Sequence, residues 1–405
     1  MSHKNKITVI GLGYIGLPTA ALLSSKGYYV SGIDINDHIV SIINEGKIHI
    51  VEPMLEEYVK SSVKNGHLKA FNEPKEGDVY MICVPTPFQN NTNPPSPDIS
   101  YIKNAIESIT HLVKDGDLII LESTSPVGTT DMIQDIFIAN GIETSKIHIA
   151  YCPERVLPGN IMEELVNNPR IVGGINEDSS NTISKFYSTF VSGEIIKTDS
   201  KTAEMCKLVE NSFRDLNIAF ANELSFLCES NEINVWKLIE LANHHPRVNI
   251  LKPGPGVGGH CIAVDPWFLV ASDTKNTKLI KTARETNDYK PKWVVKQIKN
   301  EVEKRKIKKI ACLGLSFKPN IDDLRESPAV EIVELLINDG YEVGCVEPNV
   351  KMHNKFNIID INTAINDYDL IVFLVDHNEF KSKEIIKKIK NKNVIDVCGA
   401  TYKDD

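Results

Sequence analysis

No two cysteines of this 405-residue chain form a CxxC pair. The eight present (Cys83, Cys152, Cys206, Cys228, Cys261, Cys312, Cys345 and Cys398) are scattered, which argues against a structural zinc site and a disulfide framework. No metal is expected. No apolar run approaches the ~18 residues that a membrane-crossing helix needs. The opening MSHKNKITVIGLGYIG sets lysines before an apolar run, but glycines break that run and no small-residue cleavage site follows. It does not read as a signal peptide. There is no large basic block, and the formal net charge is -9. A nucleic-acid protein would need a cationic face, so that class is disfavoured. These absences lead to the expectation of a cytoplasmic protein with reduced thiols, no nucleic-acid partner and no membrane partner.

Hydrophobic content is 42% and charged content 24%, ordinary for a globular protein, and the length suffices for two or three domains. The first segment alternates strand and helix patterns. KITVIGLG runs as a strand into a glycine turn, YIGLPTAALLSSKG reads as a helix closed by Gly27, and YYVSGIDI is the next strand. DVYMICVP, DLIILEST and KIHIAYCP follow as strands. Such alternation implies right-handed crossovers and a parallel, doubly wound sheet, with a mixed α+β arrangement as the alternative. From about Thr202 a long run of helix formers without Gly or Pro begins, and helix patterns continue through Val302, interrupted by a glycine-rich loop. KKIACLGLSFK then starts a second, smaller α/β unit. The division expected is 1–199, 200–304 and 305–405.

Gly11-Leu12-Gly13-Tyr14-Ile15-Gly16 is a GxGxxG that follows a strand, opens a helix and precedes Asp34 at the end of the next strand. Gly11 permits the tight turn, Gly13 lets backbone approach a pyrophosphate, and Gly16 lets the helix pack on the sheet. The helix N-terminus, including Tyr14 and Ile15, offers amide donors to phosphate. Asp34 suits ribose hydroxyls and repels a 2′-phosphate, so NAD is favoured over NADP. Val84-Pro85-Thr86 and Ser123-Thr124 also lie where a strand gives way to a loop, the edge that carries ligand in such sheets. A plain turn role for either threonine stays open.

PGPGVGGHCIAVD, residues 253–265, concentrates glycine and proline ahead of Cys261, with Asp265 four residues later. Beside NAD, an exposed thiol points to aldehyde oxidation. A thiolate adds to the carbonyl, the adduct gives up hydride, and water cleaves the thioester. The other cysteines sit in apolar patterns and read as small hydrophobes, except Cys152, which is ambiguous. Lys207 and Asn211 share one helix face at i,i+4 spacing and would suit a developing oxyanion, with a solvated surface pair as the alternative.

Taken in order, GLGYIGLP, Val84-Pro85-Thr86-Pro87, Glu122-Ser123-Thr124, Cys152-Pro153-Glu154-Arg155, the Lys207 helix, the cysteine loop and GLSFKPNIDDLRESPA resemble the UDP-glucose/GDP-mannose dehydrogenase family over essentially the whole chain. The resemblance implies two Rossmann-like α/β domains joined by a central all-helical dimerisation domain. It also implies oxidation of a nucleotide sugar's primary alcohol to a carboxylate with two NAD. By position, Cys261 resembles the nucleophile, Lys207 and Asn211 the oxyanion stabilisers, Asp265 and Thr124 the pair holding a water, and Glu154 the acid/base. Glu154, Arg155, Val156, Lys207, Asn211, Arg214, Gly258 and Lys318 match substrate-contacting positions. Pro85, Thr86, Thr124 and Arg325 match cofactor-side ones. Arg247 resembles an arginine reaching the neighbouring subunit's substrate, which implies a homodimer. Pro158 stands where UDP-glucose enzymes typically carry a second Glu, and the loop reads HCIAVDPWF. Both features are similar to the branch acting on 2-acetamido sugars. The substrate implied is UDP-N-acetyl-D-mannosamine, for polysaccharide or glycan synthesis, with UDP-N-acetyl-D-glucosamine as the alternative. A nucleotide-sugar-binding regulator with a decayed site is the reading from another class.

Overall fold

The computed structural model describes residues 6–89, 92–157, 159–259 and 261–402. Pro158 and the histidine preceding Cys261 lie outside the described residues. The chain divides into two compact units, residues 1–209 and 210–405.

The first unit is built on an eight-stranded sheet: β1 (Lys6–Ile10), β2 (Tyr29–Ile33), β3 (Leu68–Phe71), β4 (Val79–Ile82), β5 (Leu118–Leu121), β6 (His148–Tyr151), β7 (Arg170–Gly174) and β8 (Ile195–Asp199). The spatial order is β3-β2-β1-β4-β5-β6-β7-β8. β4 and β5 are buried at every position. One face carries Val9, Met81 and Ile120 against the helix Gly16–Ser25, and the other carries Tyr80, Ile119 and Ile149 against the helices Ser100–Ile109 and Thr129–Ala139. Strands covered on both faces are apolar throughout, which made them conspicuous in the sequence. The expected all-parallel sheet has one exception. β6 and β7 are antiparallel, pairing Ala150 with Gly174 and Tyr151 with Gly173. The intervening chain returns through one short helix, Ile161–Asn167, and re-enters the sheet from the edge that β6 had just left.

The long helix Ser200–Ser230 crosses from the first unit into the second. Within the second unit, Val235–Asn243, Asp265–Ser272 and Lys278–Arg305 are the further helices before a four-stranded parallel sheet. Its strands are β9 (Lys309–Leu313), β10 (Glu342–Val346), β11 (Leu370–Phe373) and β12 (Asn393–Asp396), in the order β10-β9-β11-β12. Val294, Val295, Ile298 and Val302, from the last two turns and middle of Lys278–Arg305, share a core with Ile310, Cys312 and Val372 of this sheet. The helical section and the small α/β layer are thereby one packed body. Among the described residues no helix is long and apolar enough to cross a membrane.

Candidate active site

The dinucleotide turn has the predicted form. Gly11 adopts φ +90°, and a Cβ there would lie 2.5 Å from the Cys83 carbonyl oxygen. A Cβ on Gly16 would lie 1.8 Å from the Gly11 carbonyl oxygen, so the helix cannot start against the turn with any other residue. Gly13 instead faces open space, with nothing within 4 Å of the position a Cβ would take. That is the arrangement a pyrophosphate on the helix N-terminus requires. Asp34 accepts the Leu12 N–H at 3.1 Å and the Asn36 N–H at 2.9 Å, one on each carboxylate oxygen. These bonds fix the carboxylate, and each oxygen keeps acceptor capacity for a ribose hydroxyl. The residues present therefore fit NAD. Pro85 is exposed and Thr86 half-buried beyond β4. Ser123 Oγ donates to the Val84 carbonyl at 2.8 Å, tying the β5 end to the β4 end. Thr124 follows, half-buried, in a loop that Glu204 anchors by accepting the Gly128 and Thr130 N–H groups at 2.6 and 2.7 Å.

At the same sheet edge a buried ionic cluster surrounds Glu154. Arg170 Nη1 lies 2.5 Å from Glu154 Oε2 and 4.0 Å from Glu122 Oε1. The Glu154 Oε1 accepts the Arg155 N–H at 2.6 Å, and Lys207 Nζ donates to the Glu154 carbonyl at 2.8 Å. The Tyr187 hydroxyl donates to Glu122 at 2.6 Å, and the Cys83 thiol to its other oxygen at 3.4 Å. Glu122, Glu154 and Arg170 are each at most 5% exposed. Burial raises the Glu122 carboxyl to about 7, against the opposing pull of Arg170. Arg170, the first residue of the reversed strand β7, and its partners Glu122 and Tyr187 went unassigned in the sequence. A charged residue opening an apolar strand was the available signal. Arg155 donates to the Pro169 carbonyl, and Val156 packs against the hydrophobic core. Cys152 is fully buried in that core, with burial driving its thiol upward, which resolves its ambiguity in favour of a structural role.

In the second unit Cys261 is the one exposed cysteine of the eight. Its carbonyl accepts the Val264 and Asp265 N–H groups at 3.1 and 2.9 Å, so the thiol stands on the turn entering the helix Asp265–Ser272. Asp265 is buried, and Asn211 Nδ2 donates to its Oδ2 at 2.5 Å. The amide expected at an oxyanion thus has one N–H committed to this carboxylate. Three of the loop's four glycines, Gly256, Gly258 and Gly259, meet protein. A Cβ on Gly258 would strike the Glu326 carbonyl oxygen at 2.4 Å and Pro328 at 2.8 Å, and one on Gly259, at φ +83°, the Phe317 ring at 2.9 Å. Their small size is required first by packing against the segment 317–328. Lys318 is half-buried in that segment, and Arg325 is exposed and paired with Asp323 at 2.6 Å. Arg214 and Arg247 are exposed.

A glycine turn shaped for pyrophosphate, an acidic ribose acceptor and a presented thiol define an NAD-dependent oxidoreductase. The chain belongs to the UDP-glucose/GDP-mannose dehydrogenase family: the NAD binding domain of that family matches residues 5–191, its central domain 201–289 and its UDP binding domain 311–403. It is 53% identical to the UDP-N-acetyl-D-mannosamine dehydrogenase of Campylobacter jejuni, covering 94% of this chain and 97% of that one. It is 49% identical to the NDP-N-acetyl-D-galactosaminuronic acid dehydrogenase of Ralstonia nicotianae, covering 97% and 95%. Among solved structures, the UDP-N-acetyl-mannosamine dehydrogenase of Staphylococcus aureus superposes with a TM-score of 0.90 at 44% identity, covering 98% of this chain and 96% of that one.

Proposed function

We propose that the protein oxidises UDP-N-acetyl-D-mannosamine to the corresponding uronic acid. The observation that carries this reading is Cys261, exposed at the end of a packed glycine loop while the other cysteines are buried or half-buried. The names of relatives at 53% and 52% identity support the substrate. Bound NAD supplies the hydride acceptor for both oxidations. Loss of a hydride and the hydroxyl proton from the sugar's primary alcohol leaves an aldehyde. The Cys261 thiolate adds to the aldehyde carbon, forming a C–S bond, and Lys207 and Asn211 stabilise the oxyanion. Loss of a second hydride from this oxyanion re-forms the C=O bond and gives the thioester on Cys261. Asp265 and Thr124 orient a water, its attack breaks the C–S bond, and Glu154 takes up the proton. Arg155, Val156, Arg214, Gly258 and Lys318 contact the sugar nucleotide, and Pro85, Thr86 and Arg325 the cofactor side.

The working form is a homodimer in which Arg247 serves the partner's substrate. Met205, Val209, Phe213, Phe220 and Leu227 support this assembly. They are exposed apolar residues at four- and seven-residue spacings on the helix Ser200–Ser230, the pattern of a helix face awaiting a partner. The proposed three-part division 1–199, 200–304 and 305–405 draws support from the family segments at 5–191, 201–289 and 311–403. Assaying the purified protein with NAD and the manno, gluco and galacto epimers of the UDP-2-acetamido sugar tests the substrate. Two NADH per manno sugar is expected. Turnover of another epimer alone would refute the assignment, and sugar binding without NADH would favour a regulator. Cys261→Ser should abolish acid formation.

A further inference from the structure

Behind the cysteine loop, the second unit buries a continuous polar chain that the reaction as described leaves unused. Asp215 and Asn222 lie seven residues apart on the helix Ser200–Ser230, and Arg284 and Asn287 three apart on the helix Lys278–Arg305. All four are at most 1% exposed. Arg284 Nη1 donates to Asp215 Oδ1 and reaches the Ile262 carbonyl at 3.5 Å. Its Nε and Nη2 donate to Asp288 Oδ1 at 3.1 and 2.9 Å. Asn287 Nδ2 donates to Asp215 Oδ1 at 2.8 Å and to the Asp215 carbonyl at 2.9 Å. Asn222 Nδ2 donates to Asn287 Oδ1 at 2.8 Å, and Asn222 Oδ1 accepts the Gly254 N–H at 3.0 Å.

The two ends of this chain meet the two ends of one loop. Asn222 holds Gly254, at the start of the glycine run, and Arg284 holds Ile262, the residue after Cys261. Between them, Gly256, Gly258 and Gly259 are wedged against Pro291, Pro328 and Phe317. A buried ion pair with its amides is a poor source of stability, since apolar residues of the same volume often do as well or better. What such a network supplies is one defined arrangement of the backbone it bonds. Gly-rich backbone has the most conformations to lose, so it gains most from anchors at both ends.

We propose that Asp215, Asn222, Arg284 and Asn287 are positioning residues. They fix the backbone at Gly254 and at Ile262, on either side of the thiol, so that the Cys261 sulfur captures the aldehyde before it escapes. The inference rests on the reading of Cys261 as the nucleophile. The first oxidation needs no thiol and the second does, so a loosened loop changes the partition between them, not merely the amount of active protein.

The test uses the full-length enzyme with NAD and UDP-N-acetyl-D-mannosamine, with semicarbazide present to trap free aldehyde. NADH is counted per sugar consumed. Wild type should give two. Asn222→Ala and Arg284→Lys should give a ratio falling towards one with trapped aldehyde accumulating, a kcat for acid at least tenfold lower, and a KM for NAD within twofold. The lysine keeps the charge but lacks the fork that bonds Asp215, Asp288 and Ile262 together. Should Arg284→Lys fail to fold, Asn222→Ala, which removes no charge, carries the test. A ratio of two in the folded variants, however low the activity, would overturn the proposal and leave a merely structural network. A ratio of one for wild type would overturn the covalent reading itself.

Discussion

Replacing Glu122 by glutamine should make the protein more stable at pH 8 and leave it nearly unchanged at pH 5. Glu122 is buried, and its carboxyl is raised from an ordinary 4.5 to about 7, first by burial and then by repulsion from Glu154, with Arg170 opposing. The folded state therefore keeps this proton up to about pH 7, while the unfolded chain releases its own near 4.5. Stability is lost as pH rises through that window, and holding the group ionised at pH 8 costs about 3 kcal/mol. Glutamine has the same shape and keeps an acceptor for the Tyr187 hydroxyl, now 2.6 Å from Oε1. It gives up the long Cys83 S–H bond, about 1 kcal/mol, while the attraction of Arg170 at 4.0 Å is already contained in the value of about 7. The net expectation is a gain of about 2 kcal/mol at pH 8 and about zero at pH 5. Urea titrations at both pH values measure it. They should be followed by circular dichroism, because Trp236, Trp267 and Trp293 all belong to the second unit. A gain equal at the two pH values, or a loss at pH 8, would show that Glu122 does not hold its proton in the folded state.

Three further outcomes follow from the same geometry. Arg170→Met strands Glu154 and Glu122 without their shared cation and should destabilise the first unit by about 3–5 kcal/mol in a urea titration at pH 7.5. Lys290 is 2% exposed, lies 4.1 Å above the Trp293 ring, and is lowered by burial to about 7. The folded state is then penalised most below pH 7, with relief as pH rises towards 10.5, so Lys290→Met should raise the melting temperature more at pH 6.5 than at pH 9.5. Phe213→Glu combined with Phe220→Glu places charge on the exposed apolar helix face and should shift the elution volume from that of the proposed dimer to that of a monomer, with unchanged far-ultraviolet circular dichroism.

The sheets were legible because strands buried on both faces are apolar at consecutive positions, and the turns between them carry glycine where φ is positive. Gly27, at φ +93°, closes its helix as the pattern implied. The helix of residues 200–230 was legible from the absence of Gly and Pro over its length. The reversal of β7 was not, since periodicity reports that a strand exists and is silent on which way it runs. The same limit hid Arg170, whose importance depends on reaching the Glu154 edge. Asp215, Asn222, Arg284 and Asn287 looked like ordinary polar positions on helices rich in charge. Only the pairing of two helices far apart in sequence makes them buried partners. The thiol was legible because a lone cysteine after four glycines is chemically odd, whereas the seat of those glycines was not.

That seat has a consequence for the order in which the protein is made. Phe317 and Pro328, against which Gly256, Gly258 and Gly259 rest, emerge from the ribosome well after Cys261. A nascent chain halted before residue 317 keeps Pro291 beside Gly256 but leaves Gly258 and Gly259 without the surface they pack on. The packing beneath the proposed nucleophile is completed during synthesis by a later stretch of polypeptide, so a prematurely terminated product lacks the surface that holds Gly258 and Gly259 ahead of its thiol.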